Sequence, residues 1–247
     1  PHAWVDRATT VLSLVLWGCQ SSQDVVASSY GDYDPVLHHP PVILQIEGDI
    51  SVSDPSLFFW QGTYYVFSSG SAPEGGSGLD LRSSRDLRSF KLEPPVLSPN
   101  PSWVQTTLPD VTVLWSPSVL AWNGTIHLYY AASWFGATRA CIGHATAAAL
   151  EQGFVDDGQP LICSNVDATD PYVAIDPAVI LDEAGNPWMT FGSFEKGIHI
   201  LALNREGRRL DDPANLPFVV AARGPDEYEA IQASSLYRWR DLYYLFV

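Results

Sequence analysis

Ser53-Asp54-Pro55-Ser56-Leu57, followed by Gly62-Thr63-Tyr64-Tyr65-Val66-Phe67, is the first statement of a phrase that returns three times. Trp115-Ser116-Pro117-Ser118-Val119 precedes Gly124-Thr125-Ile126-His127-Leu128-Tyr129-Tyr130, and Ile175-Asp176-Pro177-Ala178-Val179 precedes Gly185-Asn186-Pro187-Trp188-Met189-Thr190-Phe191. The fourth statement is Ile231-Gln232-Ala233-Ser234-Ser235-Leu236 ahead of Leu242-Tyr243-Tyr244-Leu245-Phe246. Aligned on the second residue, the phrases fall at positions 54, 116, 176 and 232, at intervals of 62, 60 and 56 residues. Each reads as strand, tight turn, strand. A repeat of this length built from antiparallel strands predicts an all-β propeller. Equivalent positions of the repeat then converge on one axis, which brings Asp54 and Asp176 together from distant parts of the chain.

Composition agrees with that class. The chain has 247 residues, 46% hydrophobic and 12% aromatic, with 18 Gly and 19 Pro. That is enough for one sizeable core, and aromatic and β-branched residues between Gly and Pro favour strands and turns. Almost no stretch sustains a 3.6-residue period. Ala145 to Gln152 is the main candidate for a helical turn, with a surface loop as the alternative. The formal net charge is −15. Such a chain repels phosphate backbones, which argues against nucleic acid as a partner and suits a neutral substrate. A merely solvated acidic surface accounts for the charge equally well.

Along the chain, residues 1–22 contain the apolar run Val11 to Trp17 after Arg7, then Gly18-Cys19, which reads either as the remnant of a secretion signal or as an ordinary buried strand. The run is too short to span a membrane. Residues 23–48, with Pro35, Pro40 and Pro41, are a lead-in segment. Residues 49–247 form the propeller, with blades opening near Asp54, Trp115, Ala174 and Ile231. Because Val247 lies inside an apolar strand, the expectation is a truncated domain with about three and a half blades present. Of Cys19, Cys141 and Cys163, the last two are expected as buried free thiols, pairing being the alternative in an exported chain. The sequon Asn123-Gly124-Thr125 falls on an expected hairpin turn.

Several phrases together resemble a known family. Ser53 to Ser56, Trp115-Ser116-Pro117, Ser133-Trp134-Phe135-Gly136-Ala137, Ala140 to Thr146, Ala174 to Pro177 and Phe191 to Ile198 are similar, in order and spacing, to those of the endo-1,5-α-L-arabinanases of glycoside hydrolase family 43. The resemblance runs from about Gly48 to Val247. It implies a five-bladed β-propeller and an inverting hydrolase of α-1,5-linked arabinan or a related arabinose- or xylose-containing polysaccharide, acting outside the cell. Asp54 matches the family's general base, and Asp176 the aspartate that orients the acid and tunes its pKa. Gln232 falls, counting back from Tyr243-Tyr244, where the family has its acidic glutamate. Glu229 is the fallback acid, at the cost of a three-residue shift of about 10 Å along a strand.

The chemistry behind these roles is general. Single-displacement glycoside hydrolysis uses one carboxylate to take a proton from water and one carboxylic acid to protonate the leaving oxygen. A glutamine has no proton to give. Other departures are Ser53 and Ser118, where the family often has His and usually has Asp. Trp115, Trp134 and Phe135 are candidates to stack on sugar C–H faces, core packing being nearly as good an account. No cofactor is evident. The family's metal-associated histidine comes from a later blade, and the six histidines here read as surface or turn residues. Alternatives to the endo-hydrolase are a non-catalytic carbohydrate-binding protein, an exo-acting β-xylosidase or α-L-arabinofuranosidase, and a protein-interaction propeller.

Overall fold

The computed structural model describes residues 46–71, 77–165, 170–224 and 231–247. The expected signal remnant, Cys19, most of the lead-in segment and Glu229 lie outside them. Three antiparallel blades and one hairpin follow each other in chain order. The first blade contains β2 (Ser56–Trp60), β3 (Thr63–Ser68), β4 (Leu79–Ser84) and β5 (Ser89–Val96). The short strand β1 (Glu47–Gly48), at the end of the lead-in segment, pairs in parallel with β5. The second blade is β6 (Trp115–Trp122), β7 (Thr125–Ala132) and β8 (Arg139–Ala147), with β9 (Val155–Asp156) and β10 (Ile162–Asn165) both on β8. The third is β11 (Ala178–Leu181), β12 (Pro187–Phe191), β13 (Ile198–Ala202) and β14 (Phe218–Ala221). The hairpin β15 (Ser235–Trp239) and β16 (Leu242–Phe246) opens the fourth blade.

Three cores lie between successive blades, and strand patterning follows from them. On β7, Leu128, Tyr130 and Ala132 pack between the first and second blades. The intervening Tyr129 packs with Met189, Phe191 and Leu201 between the second and third. A strand buried on both faces reads as a continuous apolar run, as Ile126 to Ala132 nearly does. The third core joins Trp188, Ile198 and Ile200 to Leu236 and Leu245 of the hairpin. Each fully buried large side chain contributes roughly 1.5–3 kcal/mol. Gly143 on β8 is required by packing, since a Cβ there would collide with the Tyr130 ring.

The innermost strands β2, β6, β11 and β15 line the axis. A serine ties each of the first two to the next: the Val119 N–H donates to Ser56 Oγ at 3.1 Å, and the Val179 N–H to Ser118 Oγ at 3.1 Å, while Ala178 stands at the equivalent place on β11. These ties fix the relative height of the strand starts, where the site is built.

Several expectations change. Cys141 and Cys163 are not free thiols: they form a disulfide between β8 and β10, where they are direct cross-strand partners. Replacing both by serine is expected to lower unfolding stability by about 2–4 kcal/mol, the usual range for closing a loop of this size. Urea unfolding with and without reductant measures this, and coincident curves would contradict it. A short helix, α1 (Ser102–Thr107), follows Pro101 and buries Trp103 and Val104. In the Ala145–Gln152 stretch, only Leu150–Gln152 makes a 3-10 turn, the first residues belonging to β8. His127, His144 and His199 are core residues rather than surface ones. His127 stacks on Trp122 at 3.5 Å, while His144 bonds to Asp157, which Arg208 also holds. These partners come from separate segments, which local sequence does not reveal. Among the described residues, no helix is long and apolar enough to cross a membrane.

Candidate active site

The site grows from a backbone device repeated at the head of each innermost strand. Asp54, Ser116, Asp176 and Ala233 have φ of 51°, 45°, 55° and 55°. Non-glycine residues avoid this left-handed region, and such strain, of order 1–3 kcal/mol per residue, persists where the surroundings over-determine it. The hinges show that the fourth phrase aligns on Ala233, one residue later than the alignment on Gln232. The intervals between positions 54, 116, 176 and 233 are 62, 60 and 57 residues. The strand pairing agrees: Phe58, four residues after Asp54, pairs with Tyr65, and Tyr237, four after Ala233, pairs with Tyr244. Proline follows the first three hinges and marks their register, whereas Ser234 follows Ala233.

The hinges turn Asp54 and Asp176 into one cavity of about 520 Å³, which Gln232, Trp115, Trp134 and Phe135 also line. All six described candidates therefore meet. Phe135 stands almost free, 92% exposed, with its ring 5.1 Å from that of Trp115. Trp134 lines the cavity and also packs against the core between the first and second blades. A second cavity of about 400 Å³ shares Asp54, Ser116, Asp176 and Ala233 with the first and is otherwise lined by the residues that follow each hinge.

The two aspartates are held differently. Asp54 accepts one hydrogen bond on Oδ2, from Ser69 Oγ at 2.6 Å, and among the described residues its other oxygen has no partner. Asp176 is occupied on both oxygens, by Ser116 Oγ at 2.7 Å and by the Ala233 N–H at 3.3 Å. Burial raises the pKa of Asp176, opposed by these two donors and reinforced by the negative charge of Asp54. Gln232 accepts a bond from Ser193 Oγ at 3.3 Å.

Ser69, Ser116 and Ser193 were not anticipated as site residues. Ser69, Ser133 and Ser193 share a signal, since each closely follows the second strand of its blade and lines the cavity. Among the described residues, those lining the two cavities include no His or Cys, and no group of His, Cys, Asp and Glu side chains is arranged to hold a metal ion.

The profile of glycosyl hydrolases family 43 matches residues 47–247. An extracellular endo-α-(1→5)-L-arabinanase of Bacillus subtilis is 30% identical over 195 residues, covering 78% of this chain and 58% of that protein. An extracellular exo-α-(1→5)-L-arabinofuranosidase of Cellvibrio japonicus is 29% identical over 208 residues, covering 80% and 58%. The solved structure of an endo-arabinanase from Bacillus licheniformis superposes with a TM-score of 0.73 at 30% identity, covering 82% of this chain and 67% of that one. These relatives are five-bladed propellers, and the chain spans 58% of the length of the two curated proteins. With the profile matched across the blades described above, the chain belongs to glycosyl hydrolases family 43.

Proposed function

We propose that this chain is an exported hydrolase of α-1,5-linked arabinan that works by inversion, with weakened proton donation to the leaving group. One observation carries the reading: Asp54 and Asp176 line a single cavity, and among the described residues one oxygen of Asp54 has no partner while both oxygens of Asp176 do. A general base needs an unoccupied lone pair beside water. A carboxylate that positions and tunes its surroundings is better fully bound. Asp54 therefore takes the proton of the attacking water. The water oxygen bonds to the anomeric carbon on the face opposite the leaving group, and the glycosidic C–O bond breaks. The departing oxygen needs a proton that Gln232 does not carry, so solvent or another carboxylic acid supplies it.

The disulfide and the extracellular relatives support export. Trp115 and Phe135 give apolar faces on which sugar rings stack. A second reading, a non-catalytic arabinan-binding protein, is favoured by Gln232 and by the absence of a side-chain carboxylate at the fourth hinge. Incubation with debranched arabinan, followed by ¹H NMR, separates them. Slow release of short oligosaccharides, with the inverted anomer appearing first, is expected. Binding without new reducing ends would select the second reading. Arabinose as the sole product would select exo action.

A further inference from the structure

We propose that Ser69 and Ser116 are positioning residues that join Asp54 to Asp176 through a relay of three hydrogen bonds bridged by the covalent frame of Ser116. The inference rests on the hydrolase reading for its kinetic consequences, though the relay itself is a matter of geometry. Ser69 Oγ donates to Asp54 Oδ2 at 2.6 Å, the Ser116 N–H donates to Ser69 Oγ at 2.9 Å, and Ser116 Oγ donates to Asp176 Oδ1 at 2.7 Å. The direction of each bond is forced, because an ionised carboxylate only accepts and an amide N–H only donates. The Ser69 hydroxyl proton is thereby committed to Asp54 while its lone pair takes the Ser116 amide.

The relay is anchored in the backbone. The Ser69 N–H donates to the carbonyl of Ser53, the residue before Asp54, at 3.0 Å. Ser116 is itself a hinge, buried, with φ of 45°. Three blades therefore meet through two hydroxyls and one amide. Ser69 fixes which oxygen of Asp54 is occupied, leaving the other for water. Ser116 provides the shorter of the two bonds on Asp176 and favours its charged form. Among the described residues, the groups facing Asp176 across the cavity are the Asp54 carboxylate from the first blade, the neutral Ser193 and Phe194 from its own, and the neutral Gln232 from the fourth, with no described Lys or Arg lining it.

The test uses the full chain with ¹³C-labelled aspartate, the Asp176 carboxyl resonance being assigned with Asp176→Asn. Ser116→Ala removes the hydroxyl, and Ser116→Gly does so while suiting the left-handed backbone. In both, the Asp176 titration midpoint is expected to rise by about one pH unit, as expected for losing one charge-assisted hydrogen bond. Ser69→Ala is expected to lower kcat on arabinan about tenfold with KM within twofold, and Ser69→Thr, which keeps a hydroxyl, to restore it. A merely structural role would lower the melting temperature and leave these readouts in place. Unchanged midpoints in both Ser116 variants would overturn the relay, as would equal loss of kcat in Ser69→Ala and Ser69→Thr. If the parent chain releases no product, the hydrolase reading fails while the midpoints still decide the relay.

Discussion

Asparagine in place of Asp54 is expected to lower the initial rate of arabinan hydrolysis by about 10²–10⁴, the range that general base assistance contributes. The substitution is chosen to leave the site standing. Asparagine tolerates the left-handed backbone that Asp54 adopts, at φ of 51°. Its carbonyl oxygen can still accept the Ser69 hydroxyl. What it lacks is a charge on the oxygen that faces the cavity, and with it the capacity to take a proton from water. Affinity for arabino-oligosaccharides should stay within a few-fold of the parent value, measured by calorimetry. Initial rates are read by released reducing ends, with an unchanged melting curve as the check on folding. A rate within threefold of the parent would remove Asp54 from the role of base.

Asp54 and Asp176 were legible because three things coincide in the chain: an Asp-Pro pair, a following strand–turn–strand, and a spacing near 60 residues. Each is weak alone, since Asp-Pro commonly opens turns. The same logic slipped by one residue in the fourth phrase, where Ser234 replaces the proline that marks the hinge. Counting from the pairing of β2 with β3 would have found Ala233, but pairing is a property of the fold. The serine relay was harder to see. One serine after a strand is an unremarkable residue, and only the approach of three blades gives Ser69 and Ser116 their partners. The disulfide stood only as the alternative for a similar reason, because the direct opposition of Cys141 and Cys163 depends on the register of β8 against β10. Helix α1 is six residues long, too short to display a period.

Placing a carboxylic acid at position 232 tests the proposal that proton donation limits hydrolysis. Gln232→Glu is expected to raise arabinan hydrolysis at least about tenfold, the lower part of the range for general acid help being appropriate to an imperfect fit. Gln232 lines the same cavity as both aspartates, and its amide oxygen already meets Ser193 Oγ, a contact that a glutamate oxygen of the same geometry can keep. A dinitrophenyl glycoside of an arabino-oligosaccharide departs without protonation and should hardly respond. That contrast separates proton donation from better binding, which would raise both rates together. Asp176 sharpens the test. If its part is to tune the acid, then in the parent it has no acid to tune. Asp176→Asn should then cost more in the Gln232→Glu background than alone, and the double-mutant cycle reads that coupling directly. Additive effects would assign Asp176 to substrate or water instead. Were Gln232→Glu to leave polysaccharide hydrolysis unchanged while Glu229→Gln abolished it, the acid would be Glu229. The glutamine would then be a wall of the site rather than its defect.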